Sequence, residues 1–315
     1  MRTPERADVV IVGGAIIGSS VATFLASRPE FDGRIVVVER DPTFRTSSTT
    51  LSAASIRLQF STALNIEISR FGVDLIKHPH PYLAVNGEVP EVDFVENGYL
   101  FLATDRGLAT LEHNHAVQRA LDVAVQLLSP SELHDRFDWL HTDDLAGGSL
   151  GLADEGWFDA YALLQGFRRK ARSLGVEERV AEVTAVERDG HRVRGVHLAD
   201  GSFLAAEWVV NAAGPRAAQI AALAGVELPV RPRKRNVYHV EAPVSLGAAP
   251  LTIDPTGVYF RPEGPTYLAG FSPRSGEADP DTLDLKTDRA PFESFVWPTL
   301  AHRVPAFDRL RLLDT

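Results

Sequence analysis

Two stretches carry residue types spaced for chemistry. The first is the apolar run Val9–Val12 followed by Gly13–Gly14–Ala15–Ile16–Ile17–Gly18, a G-x-A-x-x-G frame. In such a turn the first glycine makes the bend and the small middle residue lets the backbone approach a pyrophosphate. The last glycine lets helix and strand pack closely. The helix N-terminus adds N–H donors and partial positive charge. Ala15 is one methyl larger than the glycine usual at the middle position. Glu39 ends the next apolar run about 20 residues further on, where a carboxylate can accept both hydrogen bonds of an adenosine ribose diol. Such an acid disfavours a 2′-phosphate. The second stretch is Gly147–Gly148–Ser149–Leu150–Gly151, a literal G-x-S-x-G. A nucleophile elbow needs a buried strand before it and a helix directly after. HTDDLA precedes and LADEGWF follows, so the stretch reads as a flexible strand entry and not as a hydrolase site. His78 and His80 are interleaved with prolines, and His113 and His115 sit at i and i+2 of a helix, off a common face. No acidic cluster completes either pair, so no metal is expected.

The elements that must hold these groups follow from pattern. Strand, glycine turn, small-residue helix and the strand Arg34–Glu39 make a βαβ unit within about 30 residues. Leu64, Ile68, Phe71 and Leu75 mark one apolar helix face, with Ser61 or Thr62 as its cap. A strand-like run from Val92 gives way to a helix beginning near Asp105, and Ser129–Pro130 opens a short one. Asp159 caps a helix whose stripe is Tyr161, Leu164, Phe167, Ala171 and Leu174, stopped by Gly175. The basic run Arg168–Arg172 reads as its solvated face. Short strands follow with turns at Asp189–Gly190 and Asp200–Gly201. Then comes the strand-like WVVNAA, ending at Gly214–Pro215. Beyond it the pattern alternates as in an antiparallel sheet, through Arg235–Val240, Val258–Arg261 and Tyr267–Phe271. A last helix spans Pro291–Arg303.

Composition limits the function classes. The 315 residues suit two domains or one large α/β domain. Hydrophobic residues are 44% and charged ones 23%, as in a globular protein. The net charge of −10 repels phosphate backbones, so nucleic acid is not an expected partner. No apolar run approaches the length of a membrane span. Cysteine is absent, which excludes disulfides, thiolate metal sites, a thiol nucleophile and thioether attachment of a cofactor. Glu5, Asp8 and the split apolar core at Gly13–Gly14 argue against a secretory signal. A Cys-free chain leaves the compartment open, and cytoplasmic is the expected location.

Four segments in order resemble a known family: DVVIVGGAIIGSS, RIVVVER, SSTTLSAASIRLQFS and EWVVNAAGPRAAQIAALAG. Together they are similar to the D-amino-acid-oxidase/sarcosine-oxidase-like FAD-dependent oxidoreductases. The nearest resemblance is to the dimethylglycine-dehydrogenase-like branch, which also holds a flavoprotein serving as an assembly factor. The resemblance implies an α/β fold, a Rossmann-type FAD-binding domain interleaved with an antiparallel-sheet substrate domain. Residues 1–85 with 145–225 would form the first, and 86–144 with 226–315 the second. It implies oxidation of the C–N bond of an amino acid or N-methyl amino acid, with hydride passing to flavin N5. The alternative is a flavin-binding assembly or scaffold protein, or an inactive fragment, with little turnover. Gly13, Gly14, Ala15 and Gly18 match the phosphate turn, and Glu39 with Arg40 the ribose end. Ser48, Thr49 and Thr50 match the loop along the pyrophosphate, and Val183 the strand that meets adenine. Ala212, Ala213 and Gly214 match the flavin-side turn. Arg216 stands where the family often has Trp. Arg57 matches an Arg beside the flavin ring, placed to stabilise reduced flavin or to clamp a substrate carboxylate. Tyr259 and Arg261 form a second candidate carboxylate site, and alternation puts them on one face. His239 is a weaker candidate, better read as structural. With no Cys, and no His between Thr46 and Phe60, the FAD is expected to be noncovalent. An amino-acid-like substrate and either O2 or an electron carrier are the expected partners. Family members continue into a closing strand and a Gly-rich segment for which this chain has no counterpart, so 1–315 is expected to be a poor catalyst.

Overall fold

The computed structural model describes residues 5–273 and 276–315. Met1–Pro4, the start of the stretch weighed as a signal, lie outside the described residues. In chain order the elements are β1 (Glu5–Val12), α1 (Ile16–Ala26), β2 (Ile35–Glu39), β3 (Ser55–Ile56), α2 (Ala63–Lys77), α3 (His80–Leu83), β4 (Tyr99–Ala103) and α4 (Asp105–Ala120). Next come β5 (Val125–Leu128), α5 (Pro130–Arg136), β6 (Gly147–Gly151), β7 (Gly156–Trp157), α6 (Ala160–Ser173), β8 (Glu177–Val180), β9 (Val183–Asp189) and β10 (Arg192–Leu198). The last are β11 (Phe203–Asn211), α7 (Ala217–Leu223), β12 (Val237–Glu241), β13 (Leu251–Ile253), β14 (Tyr259–Glu263), β15 (Thr266–Gly270), α8 (Trp297–Arg303) and β16 (Arg311–Asp314).

The first sheet runs β8-β2-β1-β11-β10-β9. Its centre is parallel, and β10 and β9 return antiparallel. Val9, Ile11, Ile35 and Val37 pack on one side with Ala22 of α1 and Ala171 of α6. Val10, Val12, Val36 and Val38 pack on the other with Val186, Val196, Leu198 and Leu204. Burial on both faces is why β1 and β2 are unbroken apolar runs. Register sets the geometry of the edge: Val12 pairs with both Val38 and Asn211, so Gly13, Glu39 and Ala212 leave the sheet side by side. Open α/β sheets bind ligands at such a carboxyl edge.

The second sheet runs β16-β12-β15-β14-β13-β4-β6-β5. It is antiparallel except where β13 runs parallel to β4. The fold is thus the expected Rossmann-type α/β region interleaved with an antiparallel sheet. By strand pairing, β6 belongs to the second sheet, so the crossing between regions comes after Gly151 and not at 145. One face carries Phe260, Tyr267 and Tyr238 against Phe292, Val296 and Phe307. The other presents Tyr99, Phe101, Leu251, Ile253 and Tyr259 around Trp157. Arg311–Asp314 pairs on β12. No helix among the described residues is long and apolar enough to cross a membrane.

Local signals acted as expected at several ends. Asp159 accepts from Ala162 N at 2.8 Å, Ser129 and Glu132 form a reciprocal capping box, and Gly175 takes φ +88°. Two stripes depart from expectation. On α2, Leu64 and Ile68 are 71% and 60% exposed, and Phe71 is also exposed. The helix instead buries Ile66 and Val73 against Leu58, Val123 and Val125, and Leu75 and Ile76 against Leu83, Val92, Leu163 and Phe167. Two partial 3.6-residue stripes competed, and tertiary packing chose the second. On α6, Tyr161 and Leu174 stay exposed at the ends while Leu163 joins the buried set.

Candidate functional site

At the carboxyl edge of the first sheet the backbone itself forms the site. Gly13 has φ +99°, and a Cβ there would lie 2.4 Å from Ala212 O. A Cβ on Gly18 would lie 1.8 Å from Gly13 O, so α1 packs onto the turn with no room for a side chain. Ala15 is the N-cap residue of α1 and supplies no side-chain cap. Ile16 N donates to Thr49 Oγ1 at 3.3 Å. Glu39 closes the turn from the next strand, where Gly14 N donates to Oε2 at 2.7 Å and Asp41 N to Oε1 at 2.8 Å. An ionised carboxylate has about four lone-pair sites, so capacity for a diol remains.

These groups open on a cavity of about 830 Å³, within the usual range for cofactor sites. Gly13, Ala15, Glu39, Arg40, Ser48, Thr49, Val183, Ala212, Ala213 and Gly214 line it, and so does Arg216. Gly14 and Gly18 shape the turn without lining the cavity. Thr50 does not line it either: it is exposed and its amide donates to Ser47 Oγ at 3.2 Å. The turn through residues 47–50 faces Ser48 and Thr49 inward and carries Thr50 out.

Arg57, Tyr259 and Arg261 do not line this cavity; Tyr259 and Arg261 lie on β14 of the second sheet, and Arg57, just after β3, packs against β4 of the same sheet. The Arg57 guanidinium lies over the rings of Phe60 (4.7 Å), Phe101 (5.4 Å) and Tyr99 (5.8 Å). Its Nε is buried, and none of its nitrogens has a hydrogen-bond or ion-pair partner among the described residues. Arg261 is buried over the Trp157 ring at 5.0 Å. Its Nη2 donates to Ala53 O at 3.1 Å, and Nη1 donates to Pro262 O at 2.9 Å and pairs with Glu263. Ala53 lines the cavity, so Arg261 ties the second sheet to the cavity wall. Alternation holds on β14: Phe260 faces the opposite core, while Tyr259 packs beside Trp157 with Arg261. Burial pushes the hydroxyls of Tyr99 and Tyr259 above the usual range. His239 is satisfied by Thr266 Oγ1 at 2.7 Å, a structural contact.

The G-x-S-x-G stretch is not a flexible entry. It is the fully buried strand β6, held between β4 and β5. Ser149 donates Oγ to Gln59 Oε1 at 2.7 Å, which leaves no nucleophile poised in a cleft. Sequence reasoning missed the partner of this network, Glu155, which is fully buried. Leu58 N and Gln59 N donate to its Oε1 at 2.7 and 2.9 Å, and Gln59 Nε2 donates to Oε2 at 2.8 Å. Burial nevertheless pushes its carboxyl above the ordinary range. The available signal was an acid flanked by Gly151 and Gly156 between apolar strands.

Another missed cluster lies at the far side of the second sheet. The ligand atoms of His141, Asp144 and His302 all fall within 4.8 Å of one another. Asp144 is already engaged bidentately by Arg303, at 2.8 and 2.9 Å. Arg303 also donates to Asp254 Oδ2 at 2.7 Å and to His141 O at 2.5 Å. It holds the Asp144 carboxyl down at about 2. That geometry is an ion-pair clamp between the 141–144 loop and α8. Of the histidines read from sequence, His78 pairs with Asp74 at 3.0 Å.

Comparison with known proteins agrees with this geometry. Residues 8–313 match the family described as DAO, FAD dependent oxidoreductase. FAD-dependent oxidoreductase domain-containing protein 1 of Xenopus laevis is 40% identical, over 98% of this chain and 69% of that protein. Mitochondrial dimethylglycine dehydrogenase of Rattus norvegicus is 28% identical, over 72% of this chain and 26% of that protein. The crystal structure of L-proline dehydrogenase from P. horikoshii superposes with a TM-score of 0.83 at 24% identity, covering 99% of this chain and 80% of that one.

Proposed function

The chain belongs to the DAO family of FAD-dependent oxidoreductases, and from that premise we propose that it oxidises the C–N bond of an amino acid or N-methyl amino acid. The observation that carries the reading is the unpaired Arg57 guanidinium, half-buried on an aromatic face next to a cofactor-sized cavity. FAD fits the cavity on the evidence of the cradle: the Cβ positions of Gly13 and Gly18 are filled by backbone, as close approach to a pyrophosphate requires. Gly13, Ala15, Ser48 and Thr49 would hold the phosphates, Glu39 and Arg40 the ribose end, Val183 the adenine, and Ala212–Gly214 the flavin side. Gly14 and Gly18 give the turn its shape. The chain has no cysteine for a thioether and no histidine between Thr46 and Phe60, which supports noncovalent attachment. When bound, FAD supplies a two-electron hydride acceptor.

The chain's own residues bind and orient. Arg57 receives the substrate carboxylate, since a half-buried cation without a protein anion gains most from one brought by a ligand. Tyr259 and Arg261 bound the same face, and Arg261, committed to Ala53 O and Glu263, positions more than it binds. Phe60, Phe101 and Tyr99 exclude water around the ion pair and so strengthen it. Dimethylglycine dehydrogenase and L-proline dehydrogenase act on amino acids by name, which supports a carboxylate-bearing amine. The electron acceptor after reduction is O2 or an electron carrier. The test is an anaerobic scan of amino acids and N-methyl amino acids against FAD-loaded protein. Bleaching by at least one is expected, and acid precipitation should release all the flavin. A yellow protein bleached by none favours an assembly or scaffold role instead.

A further inference from the structure

We propose that Glu155 is the positioning residue for Arg57, and that the glycine-serine strand Gly147–Gly151 is shaped to hold its carboxylate in place. The proposal rests on the reading above that Arg57 receives a substrate carboxylate, and it deepens that site.

Arg57 follows β3, a two-residue strand paired only with β7. So short a strand cannot fix the direction of the chain beyond it. The next two backbone amides, of Leu58 and Gln59, both donate to Glu155 Oε1. Gln59 then donates from Nε2 to Glu155 Oε2 and, at 3.1 Å, to Tyr99 O. Its Oε1 accepts from Ser149. Through Gln59 this network fastens the segment after Arg57 to β6 and to β4, the strand that carries its aromatic neighbours Tyr99 and Phe101. Hydrogen bonds to a charged acceptor are shorter and stronger than neutral ones, and three of them fix a loop that pairing leaves free.

The strand makes room for this at a visible cost in side chains. A Cβ on Gly151 would lie 1.9 Å from Glu155 Oε2 and 3.1 Å from Gln59 Nε2. Ser149 is small and polar next to Leu150, which pairs with Leu100 of β4 and is buried and apolar like it, and its hydroxyl ends the chain of hydrogen bonds. A buried, unpaired acid is expensive, and an apolar residue of the same size would pack here without that expense. Arg57 is within electrostatic reach of Glu155 but forms no ion pair with it. Glu155 thus directs the segment without consuming the guanidinium, which stays free for an anion from outside.

The experiment reads Arg57 without turnover. FAD-loaded protein is treated with phenylglyoxal at increasing acetate, and modification of Arg57 is followed by peptide mass spectrometry. Wild type should be protected by acetate. In Glu155→Ala the protecting concentration should rise about 10- to 100-fold, the equivalent of one charge-assisted hydrogen bond. Glu155→Gln keeps an acceptor for the two amides but sets its NH2 against Gln59 Nε2, so a smaller rise is expected in a variant that folds where Glu155→Ala does not. Gly151→Ala should reproduce the loss by displacing the carboxylate instead of removing it. Thermal melts and FAD content are recorded for each. A merely structural role would lower the melt and leave the protecting concentration unchanged, and that result in a folded variant overturns this inference alone. If acetate does not protect Arg57 in wild type, the carboxylate-site reading falls and takes this inference with it.

Discussion

The cofactor edge of the first sheet and the aromatic face of the second meet at Ala53, yet they are built from opposite materials. The edge is backbone and small residues: Gly13, Ala15, Ala212, Ala213 and Gly214, with Glu39 as its main acid. The face is bulk and charge: Tyr99, Phe101, Trp157, Arg57 and Arg261, steadied by Glu155 behind. The edge acts by leaving space, so it fails when anything is added. The face acts by holding the Arg57 cation with no ion-pair partner among the described residues, so it fails when a group that positions it is removed.

Removal at the ion-pair clamp on α8, beside the second sheet, should give the largest loss of stability. Arg303 is 2% exposed and pairs with Asp254, 6% exposed. Arg303→Ala leaves an uncompensated buried carboxylate and should cost about 3–5 kcal/mol in denaturant unfolding. Addition at the cofactor edge comes next. Gly18→Ala puts a methyl against the Gly13 carbonyl, so roughly 1–3 kcal/mol of overpacking is expected together with failure to retain FAD on gel filtration. Retention of FAD by that variant would break the contrast between the two regions.

Glu39→Ala should weaken FAD binding by about 10- to 100-fold, measured by titration into apoprotein, since each charge-assisted bond is worth roughly 1.5–3 kcal/mol. The Asp144–Arg303 pair also predicts a pH effect. The folded carboxyl is held at about 2 against its ordinary 3.8, so the pair's stabilisation is complete above that ordinary value. It is lost as the pH falls through about 2. Melts between those limits should steepen in wild type and flatten in Asp144→Asn. The smallest effect belongs to Thr50, exposed and outside the cavity: Thr50→Ala should change stability and FAD affinity by less than about 0.5 kcal/mol.

The contrast also explains what could be read from sequence. The cofactor edge was legible because each of its signals is local: a turn, a strand end, a small-residue run after a strand. Parallel register then brings those local signals together at Gly13, Glu39 and Ala212. Alternation was enough to put Tyr259 and Arg261 on one face. The Glu155 network was not legible, because its members come from residues 58–59, 149 and 155 and meet only through pairing of β4 with β6. The G-x-S-x-G frame drew attention to Ser149 for a reason unrelated to its use. The α2 stripe misled because two apolar sets fit the same helix, and the choice between them lay in Val123 and Val125, far along the chain. Thr50 was a neighbour of lining residues, and turn geometry, not residue type, decided its direction.

The most direct test of the account is the rate at which anaerobic, FAD-loaded protein is bleached by an amino acid compared with its decarboxylated amine. The panel should contain free and N-methyl amino acids, each with its carboxylate-free counterpart. If the cofactor edge holds FAD and Arg57 receives a carboxylate, at least one acid bleaches the protein. Its counterpart should then be slower by about tenfold or more, the scale of one charge-assisted contact. Equal rates for acid and amine, or no bleaching by any acid in the panel, would contradict the account.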